Sequence, residues 1–248
     1  MTEPAAILTP AVLFLATLIR SAFGFGEALV AVPLLALLMP VEVAVPVAVL
    51  VSITVAFLVV VQDWREVHVR SATGLVVSTM FGIPLGLLLL RAVAEPVVKG
   101  ILAAVIIGFS AQSLLGGEFR ELKNDKFAWL FGFSAGVLGG AYGMNGPPLV
   151  VYGTLRRWSP RHFRATLQGY FLPASLAGLW GYHLAGMWTP VVNRFYLLSL
   201  PLVLLATFLG RAINRRLEVR RFVIYVHSGL IAIGILLLFQ AATGHGGR

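Results

Sequence analysis

The chain has 248 residues, of which 58% are hydrophobic and 12% charged, with a mean hydropathy of +0.90. A soluble domain carries about 25% charged residues, so the composition excludes a soluble globule and predicts an all-α integral membrane protein. The 19 Lys and Arg outnumber the 10 Asp and Glu, in a chain whose composition is that of a bilayer protein. The excess therefore reads as loop charge beside a lipid bilayer, and no nucleic-acid partner is expected. With no cysteine in the chain, disulfides and thiolate metal sites are excluded.

Met1-Thr2-Glu3-Pro4 lacks the basic start and small-residue cleavage site of a secretory signal, so the first apolar segment is expected to persist. That segment, Pro4 to Val41, is interrupted by Ser21-Ala22-Phe23-Gly24-Phe25-Gly26-Glu27, with arms of one half to two thirds of a span on either side. Simple spans are expected near residues 43–62, 72–90 and 97–116, each of a length that crosses a hydrocarbon core. Phe127 to Leu155 then gives 29 uncharged residues, too long for one span and too short for two, with Gly139-Gly140-Ala141-Tyr142-Gly143-Met144-Asn145-Gly146-Pro147-Pro148 inside it. A helix does not run through that composition, so each interrupted segment is expected to be a broken helix or a re-entrant hairpin. Three more simple spans are expected near 164–185, 195–213 and 222–241.

The two breaks lie 119 residues apart, since Phe23-Gly24 superimposes on Tyr142-Gly143. Later positions keep pace: Pro40 matches Pro160, and Leu85-Gly86 with Arg91 matches Leu209-Gly210 with Arg215. The pattern predicts two repeats, residues 1–116 and 127–248, each a broken helix or hairpin followed by three spans, joined by a cytoplasmic linker at 117–126. Three crossings per half make the halves inverted, the repeat architecture of secondary transporters. Lys and Arg then sort by side. Inside fall Arg65, Arg70, Arg120, Lys123, Lys126, Arg156, Arg157, Arg161, Arg164, Arg211, Arg215, Arg216, Arg220 and Arg221, and outside fall Arg91, Lys99, Arg194 and Arg248, which is 14 against 4. Eight spans with parallel halves give at best 11 against 7.

The glycine-rich breaks ahead of a proline-containing apolar run, Asp63-Trp64-Arg65 closing the first simple span, and Ile83-Pro84-Leu85-Gly86 with its later echo together resemble the sulfite exporter TauE/SafE family. The resemblance covers nearly the whole chain. It implies a multi-pass permease of the prokaryotic inner (plasma) membrane for small organic or sulfur-containing anions, such as sulfite, sulfonates or sulfoacetate-like compounds, and no enzymatic activity. Where members often carry an unbroken glycine run, this chain has Phe25 and Glu27 in the first break and Met144 and Asn145 in the second.

The half-helix that follows each break begins at membrane depth with unpaired N–H groups and the positive end of its dipole, an arrangement that attracts anions. Gly24, Gly26, Gly143 and Gly146 let backbone approach a ligand without an intervening Cβ. Gly132, Gly136 and Gly140, four apart, read instead as a helix-packing stripe. Arg20 is costly between apolar arms unless paired or wet. It either grips an anion, pairs with Glu27 across the break, or snorkels to a surface. Glu27 is either that partner or a group that couples transport to protons. Ser21, Phe23, Phe25, Tyr142, Met144 and Asn145 complete the expected substrate site at the tips, with Gln168 and Tyr170 as hydrogen-bonding candidates from the following span. Trp180 and His183 read as interfacial.

The expected mechanism is alternating access, and no cofactor or metal is expected. A passive anion channel competes with it. So does a membrane-embedded lipid-pyrophosphate phosphatase, which would have to use Arg20, Ser21 and Glu27, because HExxH and Walker A patterns are missing.

Overall fold

Backbone N–H and C=O groups at membrane depth find no water, so apolar segments satisfy them internally as helix. The Val-rich run Val41–Asp63 shows the strength of that constraint: its composition would favour a strand in water, yet it forms a helix of 23 residues. The computed structural model describes residues 3–35, 38–63, 69–92, 94–115, 121–214 and 219–243. These hold α1 (Glu3–Phe23), α2 (Glu27–Leu35), α3 (Val41–Asp63), α4 (Val69–Ala92), α5 (Glu95–Leu114), α6 (Ala128–Tyr142), α7 (Gly146–Leu155), α8 (Pro160–Leu184), α9 (Pro190–Asn214) and α10 (Val219–Thr243), with one turn of 3-10 helix at Asp125–Phe127.

Stretches within α3, α4 and α9, namely Val43–Val61, Ala72–Leu89 and Pro190–Ile213, are long and apolar enough to cross a membrane. The chain is thus an all-α, multi-span membrane protein. Helices α5, α8 and α10, of 20, 25 and 25 residues, stand where the other three simple spans are expected. Both expected interruptions are present. Their arms differ from expectation in the first half, where α1 runs for 21 residues and α2 for only 9. The reason is that Gly24 is the first residue after Arg20 able to turn the chain, so the helix continues through Ser21 and Phe23. Of the basic residues used to orient the chain, Arg65, Arg120, Arg215, Arg216 and Arg248 lie outside the described residues, as do the side chains of Arg70, Arg91, Lys99, Arg161, Arg164, Arg220 and Arg221.

Helix α3 is the centre of the core: Val45, Val51, Val55, Ala56 and Val59 are all fully or almost fully buried. Outward faces carry large exposed apolar side chains such as Phe57, Phe81, Leu88, Leu197 and Phe208, the inverse of a soluble surface. Some buried hydroxyls are satisfied along their own helices, Ser199 on the Phe195 carbonyl (2.8 Å) and Thr207 on Val203 (2.8 Å).

The helix pairs form a pattern. Helix α4 packs along α6 and α9 along α1; α5 pairs with α10, α3 with α8, α4 with α8 and α3 with α9. Exchanging the first five helices for the last five maps this set onto itself. The closest contacts repeat as well. A Cβ placed on Gly86 of α4 would lie 2.8 Å from the Ala141 nitrogen of α6, and one on Gly210 of α9 would lie 3.0 Å from the Ala22 nitrogen of α1. Ala22 and Ala141 are themselves 119 residues apart. The expected packing stripe on α6 is present: a Cβ on Gly136 would stand 2.9 Å from the Thr79 Cα and 3.0 Å from the Gly82 Cα of α4. Small residues here let two backbones touch, which is how helices associate where no hydrophobic force separates them from lipid.

Helices α6 and α7 fold back on each other. The Leu122 amide donates to the Leu155 carbonyl (3.0 Å), Arg156 donates to the Leu122 carbonyl (2.6 Å), and Arg156 pairs with Asp125 (3.3 Å). Tyr152 also donates to Asp125 (2.6 Å). The end of α7 is thereby tied to the segment that leads into α6, so the second interruption is a hairpin.

Candidate functional site

Each break ends one helix with a residue that only glycine adopts without strain. Gly24 and Gly26 have φ of +88° and +99°, and Gly143 has φ of +67°. The Gly24 amide closes the last turn of α1 on the Arg20 carbonyl (2.6 Å), and the Gly143 amide closes α6 on Gly139 (2.8 Å). At the end of α6 the Tyr182 hydroxyl of α8 donates to the Gly139 carbonyl as well (2.8 Å) and to the Gly140 carbonyl (3.2 Å). Pro147 and Pro148 sit in the first turn of α7, where a missing N–H breaks no helix bond. In α2, by contrast, Val30 donates to Gly26 (3.2 Å), so the amides of Glu27, Ala28 and Leu29 in the first turn have no partner within the helix.

The two breaks meet. Gly26, Glu27, Ala28 and Leu29 from the first and Gly143, Met144, Asn145 and Gly146 from the second line a single cavity, completed by Arg20, Ser52 of α3 and Phe171 of α8. Its free volume is about 20 Å³, room for roughly one water molecule. Arg20 and Glu27 are each 2% exposed. The guanidinium donates to Gln168 Oε1 through Nε (3.2 Å) and Nη2 (2.7 Å), to Ser52 Oγ through Nη1 (2.6 Å), and to Glu27, while its plane lies 4.9 Å from the centre of the Phe171 ring. Of the three alternatives for Arg20, the pair with Glu27 is formed and snorkelling is excluded by burial. The pair is incompletely satisfied: Glu27 Oε1 has no hydrogen-bond partner among the described residues. Gln168 also donates to the Gly24 carbonyl (2.8 Å), so one amide fixes both the arginine and the turn that follows it. Ser52 in turn meets Ser175 of α8 at 3.3 Å.

Most of the expected site residues are gathered here, and some are not. Arg20, Phe25, Gly26, Glu27, Gly143, Met144, Asn145 and Gly146 line the cavity, and Gly24 and Gln168 stand directly behind it. Phe25 closes over Gly146, at 3.7 Å from where a Cβ would stand, and meets Phe163 edge-on. Tyr170 is one layer back, its hydroxyl 2.6 Å from Thr79 and facing the Asn145 side chain. Tyr142 is buried without lining the cavity. Ser21 points away, packing under Gly210 of α9. The Phe23 side chain lies outside the described residues. Ser52 and Phe171 were not expected. Ser52 had a signal, a hydroxyl in a largely apolar span, though one shared with Thr54; Phe171 had none. Trp180 is exposed and stacks with His183, which meets Trp188 edge-on, an arrangement suited to a membrane interface.

No curated protein and no solved structure matches the chain. The profile of one family, Sulfite exporter TauE/SafE, matches residues 10–237, which takes in both breaks, helices α2 to α9 in full and most of α1 and α10. The proteins of this family are membrane transporters of small anions rather than enzymes. Arrayed on several membrane helices around a buried arginine, this multi-pass inner-membrane protein belongs to the sulfite exporter TauE/SafE family.

Proposed function

We propose that the chain is a secondary transporter that exports small organic or sulfur-containing anions, with sulfite, sulfonates and sulfoacetate-like compounds as the substrate class, by alternating access. The observation that carries this reading is the meeting of two helix breaks at one buried cavity that holds Arg20 and the amino end of α2. A guanidinium and uncompensated amides are groups that recognise a sulfonate or carboxylate. Residues 1–116 and 127–248 act as inverted repeats of a hairpin and three spans, joined by a cytoplasmic linker at 117–126. Three things support this: the exchange symmetry of the helix pairs, the closed hairpin of α6 and α7, and the 14 to 4 sorting of basic residues. A pseudo-two-fold axis in the membrane plane would then exchange the breaks, and rocking one half against the other would open the fixed site to either side. The small size of the cavity, about 20 Å³ of free volume, favours this carrier over a passive channel, which needs a continuous path.

The test is flux from proteoliposomes loaded in turn with sulfite, methanesulfonate, sulfoacetate and acetate. Saturable efflux of sulfur-containing anions is expected, with mutual competition. Efflux of none of the four, from protein shown to be folded, would refute the reading. Linear, unsaturable flux would favour the channel.

A further inference from the structure

We propose that Glu27 is a built-in counter-anion: it occupies the place of the transported anion on Arg20 and takes up one proton each time an anion displaces it. This rests on the transporter reading above and adds the coupling that drives it.

Four observations lead there. First, the carboxylate stands at the start of α2 and is paired with the guanidinium, and a helix amino end beside a guanidinium is where an external anion would be held. Second, it is held by one oxygen only, since Oε1 is buried and has no hydrogen-bond partner among the described residues. That oxygen has a lone pair free to accept a proton. Third, about 20 Å³ of free space admits a water but no sulfonate, so an anion reaches Arg20 only if the carboxylate gives way. Fourth, Arg20 and Glu27 are the charged residues lining the cavity, and both are buried.

The charge balance fixes the stoichiometry. The resting pair is neutral. An anion entering without a proton leaves one net negative charge in a buried site, and a proton entering without an anion leaves one net positive charge. Anion and proton together restore neutrality, with Arg20 paired to the anion and Glu27 as the uncharged acid. Unpaired buried charge is the costly state, so each species binds well only with the other, one for one. Among the described residues, the other groups that line the cavity are uncharged, Ser52 from α3, Asn145 from the second break and Phe171 from α8 included. Helix α10 also packs on α2, but its buried His227 is directed to Ser110 of α5 (3.4 Å).

The experiment uses the full chain in proteoliposomes with methanesulfonate, whose charge stays fixed between about pH 5 and 8, and a lumenal pH dye. Wild type is expected to move one proton with each anion and to leave no membrane potential. The half-saturating concentration should fall about tenfold for each unit fall in pH, as one linked proton requires. E27Q, which imitates the protonated acid, is expected to bind methanesulfonate with no pH dependence and to move it electrogenically. E27D, which keeps the carboxylate, should retain the proton. Methanesulfonate flux in wild type without proton movement would overturn the proposal while leaving the transporter standing, and so would an E27Q variant that kept the wild-type pH dependence. If E27Q fails to accumulate, the wild-type proton count decides alone. Absence of flux for every anion tested would remove the transporter reading and this inference with it.

Discussion

Replacing Arg20 with methionine removes the charge and keeps much of the stem. The side chain gives up two hydrogen bonds to Gln168, one to Ser52, the pair with Glu27 and the face of Phe171. Taking one partner from a buried ion pair costs about 3–5 kcal/mol, because the other charge is stranded. The abandoned Gln168 Oε1 is a separate loss of about 1–3 kcal/mol, the price of a buried acceptor without a donor. In R20M/E27Q no charge remains to strand, so only the second loss should persist and most of the stability should return. Equilibrium unfolding in mixed micelles with increasing dodecyl sulfate measures the first quantity, and methanesulfonate flux measures function. R20M is expected to be both destabilised and inactive, whereas R20M/E27Q should regain stability and stay inactive for want of an anion partner. Wild-type flux in R20M/E27Q would refute the reasoning, since it would make Arg20 a neutraliser of Glu27 and nothing more.

Valine at Gly143 must adopt φ near +67°, a strain of about 1–3 kcal/mol, and places its Cβ 3.4 Å from Val45 and Val49 methyls. G143V and G24V should reach the membrane folded and transport nothing, and wild-type rates with normal expression would show that the tips only pack. A cysteine at the exposed Lys123 should react with an impermeant thiol reagent only once the cytoplasmic side is opened, and labelling of intact cells would invert the topology. G136A pushes a Cβ to 2.9 Å from the Thr79 Cα; it should cost about 1–3 kcal/mol of stability while leaving the order of preference among anions unchanged, and a changed preference would tie the α4–α6 seam to recognition.

The breaks were readable in the sequence because glycine at Gly24, Gly26 and Gly143, with prolines directly after the second, is a local signal: it states what backbone the chain must adopt there. The repeat was readable because identities at a fixed offset need no knowledge of contacts. Arg20 was legible as a charge requiring an explanation, though only the structure chose between its partners. Gln168 was visible as a polar residue in a span, but that it braces Arg20 and the Gly24 carbonyl together depends on α8 bringing it to the end of α1. Phe171 was illegible, since a phenylalanine facing lipid, core or guanidinium looks the same in one dimension. Arm lengths were misjudged for a similar reason: apolar composition marks where a helix is allowed, and the glycine marks where it stops.

The pairing of α1 with α9 and of α4 with α6 bears on the order in which the molecule is assembled. Helix α6 emerges from the ribosome soon after α4 and meets it at once. Helix α1 waits for α9, which begins at Pro190; at about 5–20 residues per second that delay is on the order of ten to thirty seconds. Through that interval Gly210 is not yet present to cover Ser21, and Gln168 only arrives near the end of it, so the amino-terminal arm lies in the bilayer with a buried arginine that has only its near neighbours, Glu27 and then Ser52, for company. The Arg20–Glu27 pair, made within one short stretch of chain, is therefore available before the arginine's other partners, and it neutralises a charged helix in lipid until the rest of them have been synthesised.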